Sequence, residues 1–354
     1  MEYSHPLPAA LSRFPALGGG DGYDPDAFRE HERPCGDRVT EADADRVVRD
    51  AGELAAAVDA AGRDEVVWIP GDATLDVTDL AGLEPAPGVT VASDRGLDGS
   101  PGARLLVRDP DEPNERPRPL FRLAGDGSRV TGLCFEAPET DFAEYVWWKE
   151  GTAVSVDADD AEVDDCAFRG WGHAGVEVGR SGAVARTHVH HNHFVDNALR
   201  QLGYGVTVFH GDPLVQSNYF DDNRHAVACD GFADAAYVAR DNLCGPRACG
   251  HVFDMHRAEE VSDDAGSQAG RRVDIVDNVV MARTGPDGEP ETGIFVRGTP
   301  LEGGRIVGNQ FAHPPMDDPR GGPGEAMALA VDDVAAAGIR VADNDFDVSE
   351  PAPR

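Results

Sequence analysis

Histidine and aspartate residues are concentrated in one stretch in the second half of this chain, between residues 210 and 256. Imidazole and carboxylate groups are the side chains that most often donate and accept protons in enzymes. The polar residues of interest here are His210, His225, Asp230, His251, Asp254 and His256. Because several titratable groups in one place are typical of a functional site, we predict that this stretch forms one.

These residues lie in or beside short runs that alternate between polar and apolar positions, which predicts β-strands. The runs aligned by this alternation are 175–178, 205–208, 225–228, 251–254 and 293–296. In this alignment the second and fourth positions are apolar and face inward, except for Asp254, and an inward carboxylate is costly unless it is paired. The outward first positions place His225 over His251 at about 4.8 Å, the spacing of neighbouring strands. Two residues after the fourth position, the alignment forms a second column from Arg180, His210, Asp230, His256 and Gly298.

The elements that position these residues are indicated by a repeat. An asparagine recurs beside a β-rich run, with an apolar residue three positions before it and a phenylalanine two positions after it, as in VHHNHF and VQSNYF. The equivalent positions, 24 to 36 residues apart, are Leu133, Cys166, Asn192, Asn218, Asn242, Asn278, Asn309 and Asn344. A coil of about 22 to 26 residues has room for three short strands but not for a crossover helix, so this period predicts a solenoid of stacked coils.

The repeat resembles that of the right-handed parallel β-helices of the pectin-lyase-like superfamily, over roughly residues 65 to 348. The segments VVWIPGDATLDV and GVTVASDRG, which follow a short amphipathic run, are also similar to the start of such proteins. The resemblance implies an all-β fold, a single-stranded right-handed parallel β-helix (β-solenoid) with an N-terminal capping helix. It further implies that the asparagines stack in one bend, where each amide bonds the backbone of the next coil. We expect Phe194 and Phe220 to pack together nearby.

Three segments follow from this pattern. Residues 1–45 are rich in proline, glycine and charge, which predicts an irregular segment that wraps the surface or stays mobile. Residues 46–348 form the predicted β-helix domain with its capping helix, and residues 349–354 form a tail. Six cysteines show no CxxC pair and no regular disulfide framework, although Cys244 and Cys249 could approach each other across a loop.

The formal net charge of −34 comes from 65 acidic and 31 basic residues. A chain this acidic repels polyanions in dilute buffer, which argues against nucleic acid as a partner. The bias resembles that of proteins from extreme halophiles, so we interpret it as an adaptation to salt, and an acidic polysaccharide remains compatible with it. The chain begins without a basic and apolar leader and has no segment long enough to span a bilayer, which predicts a cytoplasmic protein without membrane association.

The first functional hypothesis is that the protein has a polysaccharide or oligosaccharide as its partner and acts on it as a polysaccharide lyase. Abstraction of the proton next to a uronate carboxyl group needs a cation for that carboxylate, a base, and an acid for the leaving oxygen. We assign Arg240 or a histidine to the first role, Tyr237 or His251 to the second, and His225 or Tyr237 to the third. Asp254 and His256 complete the predicted catalytic set, and all are expected around one groove. The acidic calcium cluster that marks pectate lyases is missing, so this sequence departs from that pattern.

Two alternatives stay open. A glycoside hydrolase would use Asp230 and Asp254 as its carboxylate pair. A non-catalytic solenoid would bind carbohydrate, or would bind a divalent metal ion through His210, Asp230, Asp254 and His256. Predicted substrate contacts are His210, Asp230 and three aromatic residues, Trp147, Trp148 and Trp171, which form either a sugar-stacking platform or the apolar underside of a loop.

Overall fold

The computed structural model describes residues 18–19, 36–109, 117–140, 142–263, 265–282, 291–314, 327–331 and 337–351. Its strands form three sheets in which every neighbouring pair is parallel. Sheet A contains β1 Arg46–Val47, β2 Val66–Trp68, β4 Thr90–Ala92, β7 Arg129–Thr131, β10 Glu162–Asp164, β13 His188–His190, β16 Leu214–Gln216, β19 Ala236–Arg240, β22 Arg272–Val276, β25 Gly304–Val307 and β28 Ile339–Ala342. Sheet B contains β3 Thr74–Asp76, β5 Arg104–Leu106, β8 Cys134–Glu136, β11 Ala167–Arg169, β14 His193–Val195, β17 Tyr219–Asp221, β20 Leu243–Cys244, β23 Val279–Val280 and β26 Gln310–Phe311. Sheet C contains β6 Phe121–Leu123, β9 Thr152–Val156, β12 Ala174–Val178, β15 Tyr204–Val208, β18 His225–Cys229, β21 Phe253–Met255, β24 Ile294–Val296 and β27 Leu329–Val331.

From β7 onward the chain visits the three sheets in strict rotation, one strand in each per coil. Each strand therefore pairs with the strand three places earlier and the strand three places later. This order is that of a parallel β-helix, and the predicted fold is confirmed. All three sheets face one continuous apolar core that runs along the solenoid.

The asparagine series forms a ladder at the bend between sheets A and B. The Oδ1 atom of Asn242 accepts the backbone N–H of Asn218 at 2.9 Å and its Nδ2 group at 3.1 Å. The same pair of bonds continues from Asn242 to Asn278, and on through Asn309 to Asn344. The ladder is possible because the preceding residue adopts a left-handed conformation, such as Ser217 with φ 52°. The predicted stacking of these asparagines is confirmed.

A column of phenylalanines fills the core beside this bend. Phe135, Phe168, Phe194 and Phe220 stack with ring centroids 4.8 to 5.0 Å apart and nearly parallel planes. The predicted contact between Phe194 and Phe220 is therefore present. Because stacked rings repeat at the spacing of the coils, the column adds packing to the register that the asparagines fix.

The N-terminal end of the solenoid is closed by helix α1 (Ala51–Ala60), which lies between β1 and β2. Its Asp50 N-cap accepts the backbone N–H of Glu53, and its face with Leu54 and Val58 is buried in the core. The predicted capping helix is thus present. Short 3-10 turns occur at Glu41–Asp43, Leu97–Gly99, Trp147–Lys149 and Ala258–Glu260. None of the described helices is long and apolar enough to cross a membrane.

Most of residues 1–35, the final residues 352–354 and part of the loops lie outside the described residues. Where the N-terminal segment is described, it lies on the solenoid: the N–H of Gly18 donates to the carbonyl of Ser217 at 3.0 Å. The N–H of Gly36 donates to both carboxylate oxygens of Glu162 at 3.0 and 2.9 Å. Cys244 and Cys249 are both free buried thiols.

Candidate functional site

The outward face of sheet C carries the candidate site, and the strand pairing corrects the predicted alignment. Val227 pairs with Val206 and Phe253, and these side chains are fully buried in the core. Asp254 therefore aligns with Glu177, Thr207, Ala228 and Phe295, all of which occupy outward positions. The predicted alignment of Asp254 is therefore wrong by one residue, and its side chain points outward rather than inward.

His225 and His251 nevertheless stack as predicted, with ring centroids 5.3 Å apart. The column continues to Tyr204, whose ring stacks on His225 at 5.6 Å, and to His173 beyond it. The second predicted column also shifts by one residue. Asp230 and His256 are equivalent to Phe209, because each of the three donates its N–H to the strand of the preceding coil. Arg180 and His210 lie one residue further along.

Asp254 is fully buried and lies against three side chains, of which Arg297 and His256 can donate hydrogen bonds to it. Its Oδ1 atom accepts the Nε–H of Arg297 at 3.0 Å, and its Oδ2 atom lies 3.1 Å from Nε2 of His256 and 3.4 Å from Nε2 of His225. Burial by itself raises the pKa of Asp254, but the hydrogen bond from His256 and the nearby charges lower it well below its ordinary value. Asp254 is thus an ionised, fully occupied carboxylate.

Burial lowers the pKa of His225 well below its ordinary value and the pKa of His251 to about 4. The positive charge of Arg224 acts in the same direction on both rings. Both imidazoles are therefore neutral at neutral pH. Repulsion between neighbouring imidazoles acts in the same direction, but the main cause is the loss of solvent around the rings.

Asp230 has a different environment. It is half-buried, and in the described part of the chain its carboxylate forms no hydrogen bond or ion pair. Burial raises its pKa, while the charges of His256, His173, Arg180 and His210 oppose that effect. His173 comes directly before β12 and Arg180 follows it, whereas His210 follows β15 and His256 follows β21. These residues place imidazole and guanidinium groups around the carboxylate of Asp230, which has no partner among the described residues.

A cavity of about 300 Å³ opens on the same face, over strands β9 and β12. His173, Glu177 and Arg180 line it, together with Ser155 and Asp157 from the preceding coil. The Nδ1 atom of His173 lies 2.9 Å from Oγ1 of Thr152 and 3.4 Å from Oε2 of Glu177. These residues were not among the predicted site residues. The signal available in the sequence was the polar first and fifth positions, His173 and Glu177, of the run that starts at residue 173.

Arg180 is an exposed cation of this face that is left without a carboxylate. Its guanidinium lies 4.4 Å from the centre of the Phe209 ring, and it forms no ion pair with any carboxylate of the described ranges. By contrast, Arg297 is shared between Asp254 and Glu260, and Arg122 is paired with Asp157 and Glu84. Stacking on Phe209 holds the Arg180 guanidinium in place while its donors stay open.

Two predicted catalytic residues lie elsewhere. Tyr237 belongs to β19 of sheet A and is 1% exposed within the core, because it occupies an inward position there. Arg240 lies at the end of the same strand, where its Nε donates to Asp241 at 2.9 Å. The prediction that both share a groove with the histidines is therefore wrong, although His225, His251 and His256 do lie on one face.

The aromatic residues also separate. Trp171 is 3% exposed and packs in the core, with its Nε1–H donating to the carbonyl of Phe135 at 3.3 Å, so its predicted exposure to a sugar is wrong. Trp147 and Trp148 are half-buried in a 3-10 turn, with their rings at 89° to each other. Glu150, which follows that turn, lines the cavity that holds His173 and Arg180. A sugar contact by Trp147 and Trp148 remains a prediction.

His210, Asp230, Asp254 and His256 do not have the spacing of a metal site. Among the described residues only Glu162, Asp164 and His190, on sheet A, have ligand atoms within 4.8 Å of one another. There Asp164 already accepts two hydrogen bonds from Arg129, and Glu162 accepts from Gly36. Because these oxygens have donors, the group is satisfied by protein alone.

Comparisons with known proteins give the following. No protein-family model matches the chain, and no curated protein matches its sequence. Among solved structures, an alginate lyase from Paenibacillus sp. str. FPU-7 is similar over 85% of this chain and 98% of its own, with 13% identity and a TM-score of 0.49. A tailspike protein of E. coli bacteriophage HK620, in complex with a pentasaccharide, is similar over 79% of this chain and 61% of its own, with 14% identity and a TM-score of 0.35.

Proposed function

We propose that this protein is a carbohydrate-active enzyme, and specifically a polysaccharide lyase that cleaves a uronate-containing glycan by β-elimination. The observation that carries the proposal is the guanidinium of Arg180, which forms no ion pair with the described carboxylates and whose charge acts on the carboxylate of Asp230 two coils away. In a chain of net charge −34, an exposed guanidinium that no described carboxylate neutralises favours an anionic ligand. A sugar carboxylate matches the planar donor set of arginine.

The chemistry divides among three groups. Arg180 binds the uronate carboxylate and offsets the negative charge that develops when the neighbouring C–H bond breaks. Asp230 takes that proton, and the raised pKa of its carboxyl group makes it a stronger base than an exposed aspartate. The electron pair forms a carbon–carbon double bond as the C–O bond to the leaving sugar breaks. His173, oriented by Glu177 and Thr152, gives a proton to the leaving oxygen.

The shape of the face suits a polymer. The polar positions run across the strands of sheet C, from Ser155 on β9 to Arg297 after β24, which is about 24 Å along the solenoid axis at the usual strand spacing. Each coil contributes side chains at the same height, so successive sugars meet successive coils. A small substrate would use only a fraction of this length.

A glycoside hydrolase is the second candidate, but with a different pair of carboxylates from the predicted one. Asp254 is fully buried and bound to Arg297, so it suits neither an acid nor a nucleophile. Burial raises the pKa of Asp230, whereas for Glu177 burial is outweighed by the His173 contact and the pKa is lowered. Two carboxyl groups with opposite shifts are the pattern of an acid and a base.

The test is to incubate the protein, in molar salt, with polygalacturonate, polyglucuronate, polymannuronate and polyguluronate. A lyase produces ultraviolet absorbance from the unsaturated sugar together with new reducing ends. Reducing ends without that absorbance would support the hydrolase instead. If neither signal appears with any of the four polymers, the lyase proposal is wrong for uronate homopolymers.

Two pairs of variants locate the activity. We expect Asp230→Asn and Arg180→Gln each to lower kcat/KM by roughly 100-fold or more. The matched controls are Asp160→Asn and Arg186→Gln, which remove a half-buried aspartate and an exposed arginine that pair with each other away from sheet C. Equal losses in the controls would mean that net charge, rather than this face, governs the activity.

A further inference from the structure

Four side chains near Asp230 form a closed ring in which carboxylates alternate with basic groups. Asp254 bonds Arg297 and lies 3.1 Å from Nε2 of His256. The Nδ1 atom of His256 lies 3.4 Å from Oε2 of Glu260, and Nη1 of Arg297 donates to the same oxygen at 3.1 Å. Each member of the ring therefore contacts the two members of opposite type beside it.

The ring fixes one side chain in particular. Both ring nitrogens of His256 face carboxylates, so a flip of the imidazole would exchange its contacts without freeing either nitrogen. Arg297 is fixed in turn, because its guanidinium also lies 5.0 Å from the centre of the Phe295 ring. Within the ring, Asp254 is fully buried and Glu260 is exposed to solvent.

His256 occupies the same position in its coil as Asp230 does in the preceding coil, about 4.8 Å away by strand spacing. We propose, on the basis of the proposed function, that this ring holds His256 in one orientation beside Asp230, and that Asp254 and Glu260 are positioning residues that act on the reaction through His256. They touch no substrate in this scheme. Their effect reaches the reaction because the proton affinity of Asp230 depends on the charge next to it.

The groups that face Asp230 are His173 and Arg180 at the two ends of β12, His210 after β15, and His256 after β21. Of these, the charge of His256 opposes the burial of Asp230 most strongly. When a carboxylate partner of His256 is removed, the imidazole is no longer held at both nitrogens and is free to turn away from Asp230. The pKa of Asp230 should then rise, because burial is less opposed.

The experiment compares Glu260→Gln and Asp254→Asn with Glu259→Gln. Glu259 is the adjacent exposed carboxylate, and it pairs with Arg257 outside the ring. The titration of Asp230 is followed by carboxyl-carbon NMR in the full chain, and kcat/KM is followed against pH. We expect the Asp230 midpoint and the acidic limb of kcat/KM to move to higher pH in the two ring variants and to stay in place in Glu259→Gln.

Each outcome is decisive. An Asp230 midpoint that is the same in all four proteins overturns the proposal, as does an equal shift in Glu259→Gln, which would indicate a general effect of charge. If Asp254→Asn fails to fold, Glu260→Gln still decides, because Glu260 is exposed. The NMR titration needs no activity, so failure of the lyase assays would leave this test of the ring intact.

Discussion

The Nδ1 atom of His225 donates a hydrogen bond to the backbone carbonyl oxygen of His251, 2.5 Å away. Since a carbonyl can only accept, this bond places the proton of the neutral ring on Nδ1 and leaves Nε2 as an acceptor. That Nε2 atom is buried, has no hydrogen bond within the described residues, and lies 3.4 Å from the Asp254 carboxylate.

The protonation of these two histidines can be measured directly. Because burial lowers both pKa values, we predict that His251 stays neutral down to about pH 5 and that His225 is neutral at neutral pH with its proton on Nδ1. Nitrogen chemical shifts of labelled histidines, assigned with His225→Gln and His251→Gln, report the state of each ring nitrogen. Titration of either ring close to pH 6.5 would contradict this prediction.

The asparagine ladder predicts a position-dependent loss of stability. Asn218→Ala removes an acceptor and a donor at a fully buried bend, so the free energy of unfolding should fall by roughly 1–3 kcal/mol. Asn344→Ala is the control, because Asn344 is half-exposed at the last described position of the ladder and water can replace its contacts. Urea titration of both variants measures the difference, and equal losses would argue against the ladder as a buried network.

Salt should stabilise the fold. At net charge −34 the carboxylates repel one another, and the screening length falls from about 30 Å at 10 mM salt to about 3 Å at 1 M. We therefore expect the Tm to rise steadily between these concentrations, as measured by calorimetry with sodium chloride. A Tm that does not change with salt would contradict the interpretation of the acidic composition as an adaptation to salt.

Glu162 predicts a pH dependence of stability. Burial raises its pKa to about 7, although Arg129 opposes the shift. A folded pKa above the unfolded value of 4.5 means that the contribution is fully present below pH 4.5 and is lost as the pH rises through about 7. Glu162→Gln should remove this decline, which amounts to at most about 3 kcal/mol. Glu65→Gln, at the surface pair with Arg46, should keep it, and a decline of equal size in both variants would exclude Glu162 as its cause.

The sequence by itself determined the fold. The spacing of the asparagines, with an apolar residue before and a phenylalanine after, has a physical cause: identical positions in successive coils stack at one bend, where they share hydrogen bonds. The helix before the first coil could also be predicted, because the open end of a solenoid must be covered. Stacking of His225 on His251 followed from the same repeat.

The tertiary structure decided which side chains share the site. In the run from Ala226 to Cys229 all four residues are apolar, so alternation fits two registers that differ by one residue. Hydrogen bonds between coils select one of them, and that choice turns Asp254 outward to Arg297. The sequence also does not show that Tyr237 points inward, because that direction depends on how its strand pairs within sheet A.

Arg180 and His173 show the remaining limit of the sequence. They lie about 50 residues before Asp230 in the chain, yet their charges act on its carboxylate, because they lie two coils away on the same face. Local patterns indicate which residues point outward, but the loops between strands differ in length from coil to coil. In the folded solenoid the strands stack in register whatever the lengths of the loops between them. Only this stacking brings the three residues together on one face.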